Sequence, residues 1–113
     1  MVRRGSDFLV VHRSPENDAY WHQIAGGVED GETFAEAAVR ELREETGLVA
    51  GVAPLDRPFQ YEGVRVETFV ADAPPEWEPT LDWEHDEYRW LPRDEAAELL
   101  FWPEPAALLR SLP

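Results

Sequence analysis

The chain has 113 residues, enough for one hydrophobic core and too few for two. Its 24 Asp and Glu outnumber its 10 cations, all of them Arg, for a formal net charge of −14. That balance argues against nucleic acid or an anionic membrane as a partner, and any phosphate substrate would need a cation to bridge acid to acid. The absence of cysteine excludes a disulfide scaffold, a thiolate zinc site and cysteine catalysis.

No apolar run reaches membrane-spanning or signal-peptide length, so the expected location is the cytoplasm. Val2-Arg3-Arg4, followed by the turn-like Gly5-Ser6-Asp7, reads as the end of an abbreviated first strand. Phe8 to Val11 reads as a buried strand. Tyr20 to Ala25 reads as another, ending at Gly26-Gly27, where the backbone needs positive φ or a close approach.

Thr33 to Gly47 carries the clearest helical pattern. Thr33 and Glu36 form a capping box, and Gly47 stands where a helix ends. Phe34, Ala38 and Leu42, flanked by Ala35 and Val39, are expected to form its inner face. Beyond it, Leu48 to Ala53, Val64 to Ala71 and Tyr88 to Leu91 have strand character. Asp72 to Pro79 reads as a surface loop, and Asp94 to Leu100 and Pro103 to Leu112 as short helices. The pattern implies a single α+β domain over residues 1–113.

On the helix, Glu41, Glu44 and Glu45 stand at i, i+3 and i+4 and crowd one turn. They lie in its C-terminal half, where the dipole disfavours anions. A divalent cation would offset that cost, and carboxylate oxygens suit Mg²⁺ or Mn²⁺. Taken alone, such a face is usually just solvated surface.

The wider spacing is more specific. Gly26, Glu32, Arg40-Glu41-Leu42, Glu44-Glu45 and Gly47-Leu48 match G-x5-E-x7-R-E-U-x-E-E-x-G-U at every specified position, U being a bulky aliphatic residue. The chain thereby resembles the Nudix hydrolase family, whose members cleave a nucleoside diphosphate linked to another group. The resemblance implies a Nudix fold, a mixed β-sheet sandwiched between helices (α/β/α). It implies Glu41, Glu45 and Glu44 as metal carboxylates, Glu44 also as candidate general base, Arg40 as its partner, and Gly26 as donor of a backbone carbonyl. Glu32 would hold the loop to the helix.

Two further segments resemble the dihydroneopterin triphosphate pyrophosphatase branch: Tyr20-Trp21-His22-Gln23-Ile24-Ala25-Gly26-Gly27-Val28-Glu29 and Glu84-His85-x-x-Tyr88-x-Trp90-Leu91. Glu84 matches a third metal ligand there. Arg13, Trp21 and His22 are candidate substrate contacts, and His85 a support for the metal carboxylates. The chain departs from that branch in its late start and in Ala25, where the branch has Thr.

The expected activity is Mg²⁺-dependent hydrolysis of a nucleoside or pterin triphosphate to monophosphate and pyrophosphate, with Mn²⁺ as alternative ion. ADP-ribose, diadenosine polyphosphate or an oxidised nucleotide are alternative substrates, and a non-catalytic nucleotide sensor a further reading. The expected partner is a small nucleoside or pterin polyphosphate, and the expected state a monomer or homodimer.

Overall fold

A computed structural model describes residues 1–113. In chain order it contains β1 (Val2–Arg4), β2 (Asp7–Arg13), a 3₁₀ turn at Pro15–Asn17, β3 (Trp21–His22), α1 (Phe34–Thr46), β4 (Ala53–Pro54), β5 (Phe59–Tyr61), β6 (Val64–Val66), β7 (Phe69–Asp72), β8 (His85–Pro92), α2 (Arg93–Leu99) and α3 (Pro103–Arg110).

The main sheet runs β3-β2-β1-β7-β4, with β8 on the other edge of β2. Only β1 and β7 run parallel, so the sheet is mixed. β2 lies at its centre, and Phe8, Leu9, Val10 and Val11 are all buried because helices cover both faces. Phe8 and Val10 pack with Ala96, Ala97, Leu100 and Leu109 of the α2–α3 side. Leu9 and Val11 pack with Leu42 of α1 and Leu48. The result is the three-layer α/β/α arrangement expected from the sequence, with a first strand of three residues. No helix is long and apolar enough to cross a membrane.

Three departures from the sequence reading have local causes. Only Trp21 and His22 of the expected strand join the ladder, opposite His12 and Val11. Gln23 to Gly27 then leave it to approach α1. The alternating run Val64 to Ala71 breaks at Glu67-Thr68, because β6 pairs with β5 while β7 pairs with β1 and β4. Thr68 stays at the corner, its Oγ1 donating to the Arg57 carbonyl at 3.2 Å. Of Leu48 to Ala53, only Ala53 is in a strand.

Leu109 is 1% exposed and seals the α2–α3 side, whereas Val49 is 79% exposed. Leu109→Ala is expected to lower unfolding free energy by about 2–5 kcal/mol in urea titrations. Val49→Ala is expected to stay within about 0.5 kcal/mol of the parent.

Candidate metal centre

The helix that carries the carboxylates is fixed at both ends by local chemistry. Thr33 Oγ1 accepts from the Glu36 N–H at 3.1 Å, and Glu36 Oε1 accepts from the Thr33 N–H at 2.9 Å. Gly47 closes α1 at φ 83°, its N–H donating to the Arg43 carbonyl at 2.8 Å. The buried line of α1 is Ala37, Leu42, Glu45 and Thr46. Phe34 and Val39 are 45% and 37% exposed, and Ala35 is exposed too. Of the expected inner face only Leu42 is fully buried, and Glu45, three residues further along the same face, points into the protein with it.

Arg40 ties the preceding loop to this helix. Its Nε donates to Glu32 at 2.7 Å and its Nη2 to the other Glu32 oxygen at 3.0 Å, a bidentate pair. Nη2 also donates to the Gly27 carbonyl at 2.8 Å. Nη1 donates to Glu41 at 2.9 Å and to Glu44 at 3.1 Å. Glu32 in turn accepts from the Glu29 N–H at 2.8 Å. The Arg40 hydrogen bonds, and after them that backbone N–H, hold the Glu32 carboxyl below its ordinary range.

Gly26 sits where this loop meets α1. A Cβ built there would lie 2.0 Å from Glu41 Cδ, so only glycine lets the Glu41 carboxylate occupy this place. Glu41 is half-buried, and Glu44 is exposed on the solvent side of the same turn.

Glu45 is the unusual member. It is 5% exposed, and its Oε2 has no hydrogen-bond partner. Burial foremost, and then the charges of Glu41, Asp82 and Glu84, push its carboxyl up to about 9. A buried carboxylate facing other carboxylates must keep a proton or meet a cation. The orphaned oxygen and the all-oxygen carboxylate set fit a hard divalent cation.

The facing wall is the turn before β8. At the end of β2 the register with β8 shifts, with His12 opposite Glu87 and Arg13 opposite His85. That bulge swings Asp82 to His85 toward α1. The turn is pinned by buried Ser14, whose N–H and Oγ donate to the Glu84 carbonyl at 2.9 and 3.2 Å. One ligand atom each from Glu45, Asp82 and His85 lie within 4.8 Å of one another. Asp82 has no individual signal in the acidic run Asp82 to Glu87, and it was not among the candidates read from sequence.

The other candidates divide between the two faces of the sheet. Arg13 stands beside the turn, its Nη2 4.0 Å from Glu84 and its Nε donating to the Asn17 carbonyl at 2.7 Å. His22 is buried on the α1 side, its Nε2 2.8 Å from that of His85. Burial first, then His85, Arg13 and His12, push the His22 imidazole down to about 3. Trp21 points to the opposite face, packing against the α2–α3 cluster beneath the Arg89 guanidinium at 4.7 Å. Beside Glu41 opens a cavity of about 560 Å³ between α1, residues 23–28 and the β6–β7 segment. Its walls are mostly apolar, including Ile24, Phe34, Leu42, Val66 and Phe69, with Gln23 among the few polar groups. Neither Trp21 nor His22 nor Arg13 lines it.

Two consequences can be measured. Between its ordinary 4.5 and about 9, Glu45 is protonated in the folded chain and ionised in the unfolded one. Folded metal-free protein therefore holds the extra proton, and stability falls as pH rises through that window. His22 acts oppositely between about 3 and 6.5, where the unfolded chain binds the proton. The buried Met1 ammonium, pushed down from 8.0 to about 6 by burial, offsets the Glu45 effect up to about pH 8, so the melting temperature in EDTA is expected to fall between about pH 8 and 9. Glu45→Gln should flatten that fall. Gly26→Ala should displace the Glu41 carboxylate and weaken Mn²⁺ binding by about tenfold, read by electron paramagnetic resonance.

A family model described as the NUDIX domain matches residues 1–112. The chain is 35% identical over 100 residues to an octanoyltransferase of Myxococcus xanthus, covering 81% of this chain and only 28% of that protein. It is 34% identical over 118 residues to the asymmetrical bis(5'-nucleosyl)-tetraphosphatase of Mus musculus, covering 92% of this chain and 76% of that protein. Among solved structures, the E. coli dihydroneopterin triphosphate pyrophosphohydrolase shares the fold at TM-score 0.84 and 23% identity, covering 99% of this chain and 91% of its own. With the full motif placed on that fold and the family model matched almost end to end, the chain belongs to the Nudix family of hydrolases.

Proposed function

We propose that the chain hydrolyses a nucleoside or pterin triphosphate to the monophosphate and pyrophosphate, using a divalent cation held by Glu41, Glu45 and Glu84. The observation that carries this reading is the buried, unpartnered oxygen of Glu45 beside the other carboxylates. Mg²⁺ is the ion of choice for such hard donors, with Mn²⁺ able to replace it. Gly26, in contact with Glu41, would add its backbone carbonyl. When bound, the ion neutralises phosphate oxygens and makes a coordinated water more acidic.

The protein's own groups then have distinct tasks. Glu44 is the carboxylate of the helix turn open to solvent, and it is the group assigned to take the proton from the attacking water. Arg40 holds Glu44 at 3.1 Å and so sets its orientation. Glu45, buried, serves the cation and not the proton transfer. Arg13, beside Glu84, would meet a terminal phosphate. The ring of the substrate is assigned to the apolar cavity beside Glu41, because the sheet separates Trp21 from the carboxylates.

A second substrate reading has its own support. The mouse relative, similar over most of both chains, is named for a dinucleoside tetraphosphate. Product analysis separates the two. A triphosphate substrate gives pyrophosphate and a monophosphate, and a dinucleoside tetraphosphate cut asymmetrically gives a mono- and a triphosphate.

The test is a panel of dihydroneopterin triphosphate, dNTPs, ADP-ribose and diadenosine tetraphosphate with Mg²⁺, products resolved by anion exchange. Turnover of a triphosphate with pyrophosphate release is expected, and no turnover of any member would sink the reading. Glu44→Gln is expected to lower kcat by about 10²- to 10⁴-fold at an unchanged Mg²⁺ requirement. An unaltered rate would remove Glu44 as the base.

A further inference from the structure

Behind the carboxylates lies a pair of imidazoles that the proposed chemistry does not use. His22 and His85 are each 5% exposed, and their Nε2 atoms meet head to head at 2.8 Å, with the ring planes 22° apart. Two N–H groups cannot point at each other over that distance, so a single proton lies between the two nitrogens. On its other side, His85 Nδ1 lies 2.7 Å from Oδ1 of Asp82. A carboxylate only accepts, so Nδ1 carries hydrogen and donates to Asp82. Both ring nitrogens of His85 are thereby engaged, and the ring cannot turn without losing two hydrogen bonds.

The turn is folded to suit this chain of contacts. Asp82 and His85 point inward, whereas Trp83 between them is 78% exposed. Across from them stands the orphaned Oε2 of Glu45, in a residue 5% exposed. His85 Nε2 is 3.9 Å from the other Glu45 oxygen, too far to hydrogen-bond it. Glu45 therefore stands near the Asp82 carboxylate with its Oε2 unpartnered.

Resting on the cation-site reading above, we propose that His22 and His85 form a buried brace that aims Asp82 at Glu45, and that Asp82 gives the cation a further carboxylate oxygen. His22 is then a positioning residue. It touches neither cation nor substrate and acts through His85. A side chain that hydrogen-bonds its neighbour is sufficient for this task, and an apolar one of similar size is not.

The test uses the full chain and Mn²⁺ alone as probe, with free ion counted by electron paramagnetic resonance. Failure of the wild type to bind would overturn the cation site and this proposal together. Given wild-type binding, Asp82→Asn is expected to weaken it by about 10- to 100-fold and His22→Leu by about tenfold. His22→Gln, which keeps a side-chain N–H donor, should return affinity to within about threefold of wild type. Wild-type affinity in Asp82→Asn or His22→Leu would overturn this proposal and leave the cation site standing. Long-range ¹H–¹⁵N spectra of the wild type give a readout that needs no variant. A proton on His85 Nδ1 and one proton shared by the two Nε2 atoms are expected, and an unprotonated His85 Nδ1 would overturn the brace.

Discussion

A carboxylate out of water and without a counter-charge is the constraint around which this protein is arranged. Glu45 sits on the inner line of α1, between Leu42 and the turn before β8, with one oxygen unpartnered. Glu45 stands three residues after Leu42, on the face that hydrophobic packing turns inward, so burying Leu42 buries the carboxyl with it. The helix is held in this orientation by Arg40 on the loop side, by Leu42 in the core and by the Thr80 N–H, which donates to the Thr46 carbonyl at 2.8 Å. The strain is electrostatic and not conformational, since α1 is regular and capped at both ends. Stored in that way, it is released by whatever neutralises Glu45.

The supporting elements share the same purpose. β2 is buried on both faces and gives the sheet a stiff centre, and the β8 bulge at Asp86, opposite its end, leads to the facing turn. The loop from Gln23 to Glu32 carries almost no regular structure, yet Arg40, Glu32 and the Glu29 N–H knit it to the helix. Loop, helix turn and facing turn belong to three separated stretches of chain. Each is pinned by hydrogen bonds from a strand or helix, so the carboxylates gather on rigid supports.

Legibility in the sequence followed the range of the forces involved. The bounds of α1 were readable because a capping box and a terminal glycine act within four residues. The motif spacing located Glu41, Glu44, Glu45 and Arg40 for the same reason, since helical geometry is local. The glycine pair announced a close approach, and Gly26 does touch Glu41. What pairing decides was not readable. The alternation of Val64 to Ala71 is continuous in sequence, but two different partners divide it. Nothing in the run Asp82 to Glu87 distinguishes the residue that turns inward, because contacts with Ser14 and His85, distant or unspecific in sequence, make that choice. The sheet face occupied by Trp21 depends likewise on its register against His12.

Arg40 has one more consequence. A guanidinium has five N–H groups, and the five hydrogen bonds to Glu32, Gly27, Glu41 and Glu44 use them all. The cation at the heart of the motif is fully saturated and has no donor to offer an incoming phosphate. A polyanion entering this pocket therefore cannot recruit Arg40 without dismantling the loop. On the function proposed above, an ion between the carboxylates and the ligand supplies the positive charge, and ion and ligand are reciprocally linked, each raising the other's affinity by the same factor.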